Sequence, residues 1–152
     1  MSERNPWLVI GGALSLAASL LHVGCILGGP DWYRFFGAGE AMAAAAERGE
    51  AYPALVTFAI AAILALWAAY AFAGAGLIRR LPLMRTALVA ISAIYLLRGA
   101  LIVPALTVPG MGGAFNIWSS LIVLAYGLCH AIGTWKAWPF LSQRKYVDAL
   151  DA

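Results

Sequence analysis

Arg98 is the residue most able to do chemistry that its surroundings do not explain. It lies within an apolar run, with Leu96 and Leu97 before it and Ala100, Leu101 and Ile102 after it. A guanidinium stays charged at any physiological pH. At hydrocarbon depth it costs a few kcal/mol unless it is paired or hydrated. Two readings follow. Arg98 is either the fixed charge of a site facing the protein interior, or a side chain that snorkels to the headgroups. The first is preferred here, and it requires partners.

Those partners are sought at the same depth. Arg98 stands about eight residues from the end of its run, roughly 12 Å along a helix, and His22 stands about six residues, or roughly 9 Å, from the end of the first run. Glu40 is the acid best placed to act as counter-ion, because Gly37 and Gly39 free the backbone before it to dip. Asp31 is the alternative acid. Tyr52 opens the second run, and Asn116, Trp118 and Ser119 come one turn into the fourth. Together they define an expected polar pocket in which Arg98 binds an anionic group and His22 titrates. In a catalytic version, His22 and Glu40 serve as acid and base on a lipid-borne substrate.

Other chemistries find little support. His130 lies about 15 residues into the fourth run, roughly 22 Å from its start, so it is not level with His22. A bis-histidine haem is therefore not expected, and no Cys-x-x-Cys-His attachment motif occurs. His130 reads as a packing residue that bonds to Ser15 or Thr134. Cys25 and Cys129 differ similarly in depth, and no Cys-x-x-Cys pair is present, which argues against a disulfide redox centre. No metal-ligand spacing, phosphate-cradling loop or Ser-His-Asp order can be read, so no metal and no other cofactor is assigned.

The elements that must hold these residues follow from composition. Of 152 residues, 63% are hydrophobic and 11% charged, with a mean hydropathy of +0.84. Soluble domains are roughly 45–50% apolar and about a quarter charged. A soluble domain, disorder and nucleic-acid binding are excluded together, and membrane lipids become the first partner. Four apolar runs stand out, at about 7–28, 52–78, 83–106 and 115–138. Each exceeds the roughly 20 helical residues that cross a bilayer. Inside lipid the backbone must satisfy its own hydrogen bonds, so the runs are read as helices. The expectation is an all-α, integral membrane four-helix bundle, formed as one transmembrane domain over residues 1–152. A homo-oligomer or a larger membrane complex could contain it.

Charge placement orients the chain. Arg4, Arg79, Arg80, Arg85, Lys136, Arg144 and Lys145 fall on one side, against Arg34 and Arg48 on the other. By the positive-inside rule both termini and the Arg79 to Arg85 turn are cytoplasmic, as in a multi-pass protein of a bacterial inner membrane. Residues 29–51 and 107–114 then face outward. The longer outer connection carries Trp32, Tyr33, Phe35 and Phe36, then an alanine-rich run from Glu40 to Arg48, read as a short interfacial helix. Val23, Gly24 and Cys25 form part of a lipoprotein-type cleavage box, but His22 stands where an aliphatic residue belongs, so the first run is read as an uncleaved span.

Small and polar residues share one face of each helix. They are Gly11, Ser15, Ala18, Ser19, His22 and Cys25 in the first span, Ala54, Thr57, Ala61, Ala65, Ala68 and Ala75 in the second, Ser92, Tyr95 and Arg98 in the third, and Asn116, Ser119, Ser120, Gly127, His130 and Thr134 in the fourth. These faces should turn toward protein, because lipid offers polar groups nothing. The expected function is binding of a small amphiphile or anionic headgroup, lipid or quinone-like. The alternatives are a small membrane enzyme using His22 and Glu40, or an accessory or scaffold subunit whose polar groups fix helix register.

Overall fold

Six helices form in the structure, a computed structural model that describes residues 4–109 and 113–142. They are α1 (Pro6–Phe35), α2 (Glu40–Glu47), α3 (Tyr52–Gly74), α4 (Met84–Gly99), α5 (Ile102–Thr107) and α6 (Ala114–Ser142). No strand occurs among the described residues. Four helical segments, Pro6–Phe35, Tyr52–Gly74, Met84–Thr107 and Ala114–Ser142, are long and apolar enough to cross a membrane. The all-α, four-span class is thereby established. Arg144 and Lys145, counted among the basic flanks, and Gly110 and Gly112 of the second outer connection lie outside the described residues.

Helix boundaries depart from the apolar runs where backbone chemistry intervenes. α1 continues to Phe35 instead of stopping near Gly28, but Gly29 is non-helical inside it, with φ 69° and ψ −151°. Glycine tolerates that conformation, and Pro30 then opens the last helical stretch with its φ already set. Trp32 from this stretch folds back onto Gly28, where a β-carbon would lie 2.2 Å from the indole. The third span is interrupted at Ala100 and Leu101 and resumes as α5, whose Pro104 has no amide hydrogen to donate. The alanine-rich run forms α2 over nearly the expected range.

The chain divides into two compact units, residues 14–66 and residues 1–13 with 67–152. In the second of these, all four spanning helices contribute to one apolar cluster: Leu8 of α1, Ala71 and Ala73 of α3, Met84 and Leu88 of α4, and Ala137 and Leu141 of α6. Glycine permits this density. A β-carbon on Gly133 would lie 2.7 Å from the Leu8 side chain, and Asn5 Nδ2 donates to the Gly133 carbonyl at 2.7 Å. In the unit 14–66, Ser19 Oγ of α1 donates to the Ala61 carbonyl of α3 at 2.7 Å, and Cys25, Tyr33 and Ala43 form the apolar core. The small and polar faces are buried in part: Ser15, Ser19, Thr57, Ser92, Ser120, His130 and Thr134 are buried, whereas Ala65, Arg98 and Asn116 of the same faces are exposed.

Candidate functional site

α4 and α6 run antiparallel along a tight seam that places Arg98. A β-carbon on Gly99 would meet the Leu124 Cα at 2.6 Å, and one on Gly127 would meet the Leu96 backbone nitrogen at 2.9 Å. The two backbones therefore touch where only glycine fits. Further along the same seam, the Arg85 guanidinium lies over the Trp138 ring, 4.3 Å from its centroid. Arg98 occupies the last turn of α4, beside this closest approach. Its Nη1 donates to Ser120 Oγ on α6 at 3.3 Å. Ser120 is buried, whereas the Arg98 side chain is exposed. Among the described residues this is the one side-chain bond Arg98 makes, and no carboxylate lies within ion-pair distance of it.

The residues expected around Arg98 fall into two groups. Asn116, Trp118 and Ser119 open α6 in the same unit as Arg98. Ser119 Oγ donates to the Asn116 carbonyl at 3.3 Å, and Trp118 is exposed. His22, Glu40 and Tyr52 belong to the other unit. His22 is half-buried, and its Nδ1 bonds the Ala18 carbonyl at 2.7 Å, one turn back on its own helix. Tyr52 is exposed at the first turn of α3. No hydrogen bond or ion pair joins His22 to Glu40 among the described residues.

Glu40 has a cation of its own in the unit 14–66. Its carboxylate, expected to neutralise Arg98, is held in a two-point clasp by Arg34, with Nε 3.0 Å and Nη2 2.7 Å from the two oxygens. The fork of a guanidinium matches a carboxylate in this way. Arg34 also lies 2.8 Å from Glu47 and 3.6 Å from Asp31, so the alternative acid shares the same partner. The bonds from Arg34 hold the Glu40 carboxyl below its ordinary range. Sequence reasoning treated Arg34 only as a charge opposing the positive-inside count. The signal was present, however: Asp31 is three residues before Arg34, and Glu40 and Glu47 are two turns apart on one face of α2.

His130 belongs to an aromatic cluster centred on Tyr95. Its Nδ1 bonds the Tyr126 carbonyl at 2.9 Å. The Tyr95 ring packs 5.1 Å from it, and Tyr126 and Trp67 pack edge-on against Tyr95. Two buried polar atoms here, His130 Nε2 and Thr134 Oγ1, have no hydrogen-bond partner among the described residues. Cys25 and Cys129 are free thiols. No group of three or more metal-ligating side chains is assembled among the described residues.

The fold and the seam define a class, a multi-pass membrane protein of four apolar helices with an arginine inside the third. Comparison with protein-family models, curated proteins and solved structures found no match.

Proposed function

We propose that this is a cell-membrane protein, of bacterial inner-membrane type, that binds a small amphiphile through its anionic headgroup, with Arg98 supplying the charge. The observation that carries the reading is the split environment of Arg98. One nitrogen is anchored to a buried hydroxyl on the neighbouring helix, and among the described residues no carboxylate pairs with the rest of the exposed guanidinium. A guanidinium has five N–H donors, so several remain for a ligand. At its depth in an apolar helix, an anion is the partner that best offsets the cost of the charge. A lipid phosphate or another acidic headgroup meets this need better than a neutral quinone ring. Asn116, Trp118 and Ser119 lie near enough in sequence to Ser120 to extend the contact. His22, Glu40 and Tyr52, proposed from sequence for the same pocket, contribute less, since Glu40 already has its cation. With both termini and the Arg79 to Arg85 turn on the cytoplasmic side, Arg98 serves the outer leaflet.

Native mass spectrometry of gently extracted protein tests this directly. The wild type should carry an anionic amphiphile that is lost from Arg98→Gln and retained in part by Arg98→Lys. Equal retention by the wild type and Arg98→Gln would refute it.

A further inference from the structure

We propose a second site, on the opposite half of the α4–α6 seam, that holds one acyl chain of an anionic glycerophospholipid with its phosphate at Arg80 and Arg85. It does not depend on the role given to Arg98.

The acyl site is a groove of about 540 Å³ between the two helices. Val89, Ala93 and Leu96 line it from α4, and Ala131, Trp135 and Trp138 from α6. It runs for about two helical turns, roughly 10 Å, on each side. The alanines make the floor low, and the valine, leucine and indoles make the walls. Two hydroxyls break this apolar lining, Ser92 and Thr134. Ser92 Oγ donates to the Leu88 carbonyl at 2.7 Å. Thr134 is 5% exposed, and its hydroxyl has no partner among the described residues. A buried hydroxyl without a bond is costly, and an ester carbonyl in the groove would accept from it.

The headgroup end is cationic. Arg80, Arg85 and Thr86 line a smaller cavity of about 240 Å³ at the start of α4. Arg85 also lies over Trp138, so the pair joins the cavity to the groove. Arg80 lies over Phe140, 4.0 Å from its centroid, and donates to the Phe140 carbonyl at 2.5 Å. Among the described residues no carboxylate pairs with either arginine. α4 begins after Leu83 without a side-chain cap, so its first amides add partial positive charge. Thr134 is one helical turn deeper than Trp138, roughly 6 Å. That separation suits an acyl ester carbonyl and the phosphate across its glycerol. Anionic headgroup, ester and chain thus each find a complementary feature in order along one seam.

The test uses the full-length protein in phosphatidylcholine nanodiscs. Phosphatidylglycerol or phosphatidylcholine with brominated acyl chains is added, and tryptophan quenching is read as the difference between the wild type and Trp135→Phe. Brominated phosphatidylglycerol should quench at a lower mole fraction than brominated phosphatidylcholine, by about fivefold for each arginine engaged. Arg85→Gln should reduce that preference, and Ala131→Phe, which fills the groove, should abolish it. Arg98→Gln should leave it intact, so failure of the first site and failure of this one are distinguishable. Equal quenching by the two lipids in the wild type, or a preference unchanged in Arg85→Gln, would overturn the proposal.

Discussion

Replacing Gly99 by alanine should pry open the seam that positions Arg98. The added β-carbon would lie 2.6 Å from the Leu124 Cα and 2.8 Å from its nitrogen and Cβ, against ordinary contacts of 3.4–4 Å. The obstacle is backbone rather than the tip of a flexible side chain, so relief requires the helices to part by close to an ångström. Overpacking of this kind costs about 1–3 kcal/mol. Alanine recovers up to about 1 kcal/mol of helix propensity over glycine, less at the last residue of a helix. The net loss should be about 1–2 kcal/mol, and larger for Gly99→Val. The Arg98 to Ser120 bond, already long at 3.3 Å, would stretch beyond useful length. Unfolding midpoints in mixed micelles titrated with dodecyl sulfate measure the loss, with Gly113→Ala as control, since among the described residues only Asn116 Nδ2, at 4.0 Å, lies near that position. A Gly99→Ala protein within about 0.5 kcal/mol of wild type would refute the close-packed seam.

Leu8, with no exposed surface, joins all four spanning helices in one cluster, so Leu8→Ala should cost about 2–5 kcal/mol in the same unfolding assay; a cost under about 1 kcal/mol would remove it from the core. Glu40 has its carboxyl held down by Arg34, so its contribution is present above the ordinary carboxyl value of 4.5 and is lost as pH falls below it. Amide-exchange protection of α2 should therefore drop under pH 4.5 in wild type and lose that dependence in Arg34→Gln; identical profiles would contradict the clasp. Thr134→Val removes a buried hydroxyl that lacks a partner, so the protein should be as stable or about 1 kcal/mol more stable in phosphatidylcholine while binding less phosphatidylglycerol; unchanged lipid binding would show the hydroxyl to be idle.

Features set by composition and periodicity were legible in the sequence. The four spans, the basic turn at Arg79 to Arg85, the alanine-rich α2 and the buried faces around Ser15, Ser19, Thr57 and Ser120 all follow from length, charge and helical spacing. Local backbone events were harder to read. Gly29 and Pro30 look like a terminator, yet the helix resumes after the non-helical Gly29, with Trp32 packed onto Gly28. The pairing of charges was the least legible. Glu40 looked available because Gly37 and Gly39 free the backbone before it, whereas Arg34, six residues away along the chain, already holds its carboxylate. Ser120, the residue Arg98 does bond, was visible as part of a small-residue face but carried no signal separating it from Ser119. The inner groove was legible only as scattered alanines and tryptophans, since its shape arises from the register of two antiparallel helices.

The central claim is that the Arg98 guanidinium directly contacts an acidic headgroup. Solid-state NMR of protein carrying ¹³C and ¹⁵N in its arginines, reconstituted in phosphatidylglycerol bilayers, reads that contact as dephasing of guanidinium carbon signal by lipid phosphorus. Arg98→Gln should remove a distinct portion of the dephased intensity while leaving that from Arg80 and Arg85. Dephased intensity identical in wild type and Arg98→Gln would contradict the claim.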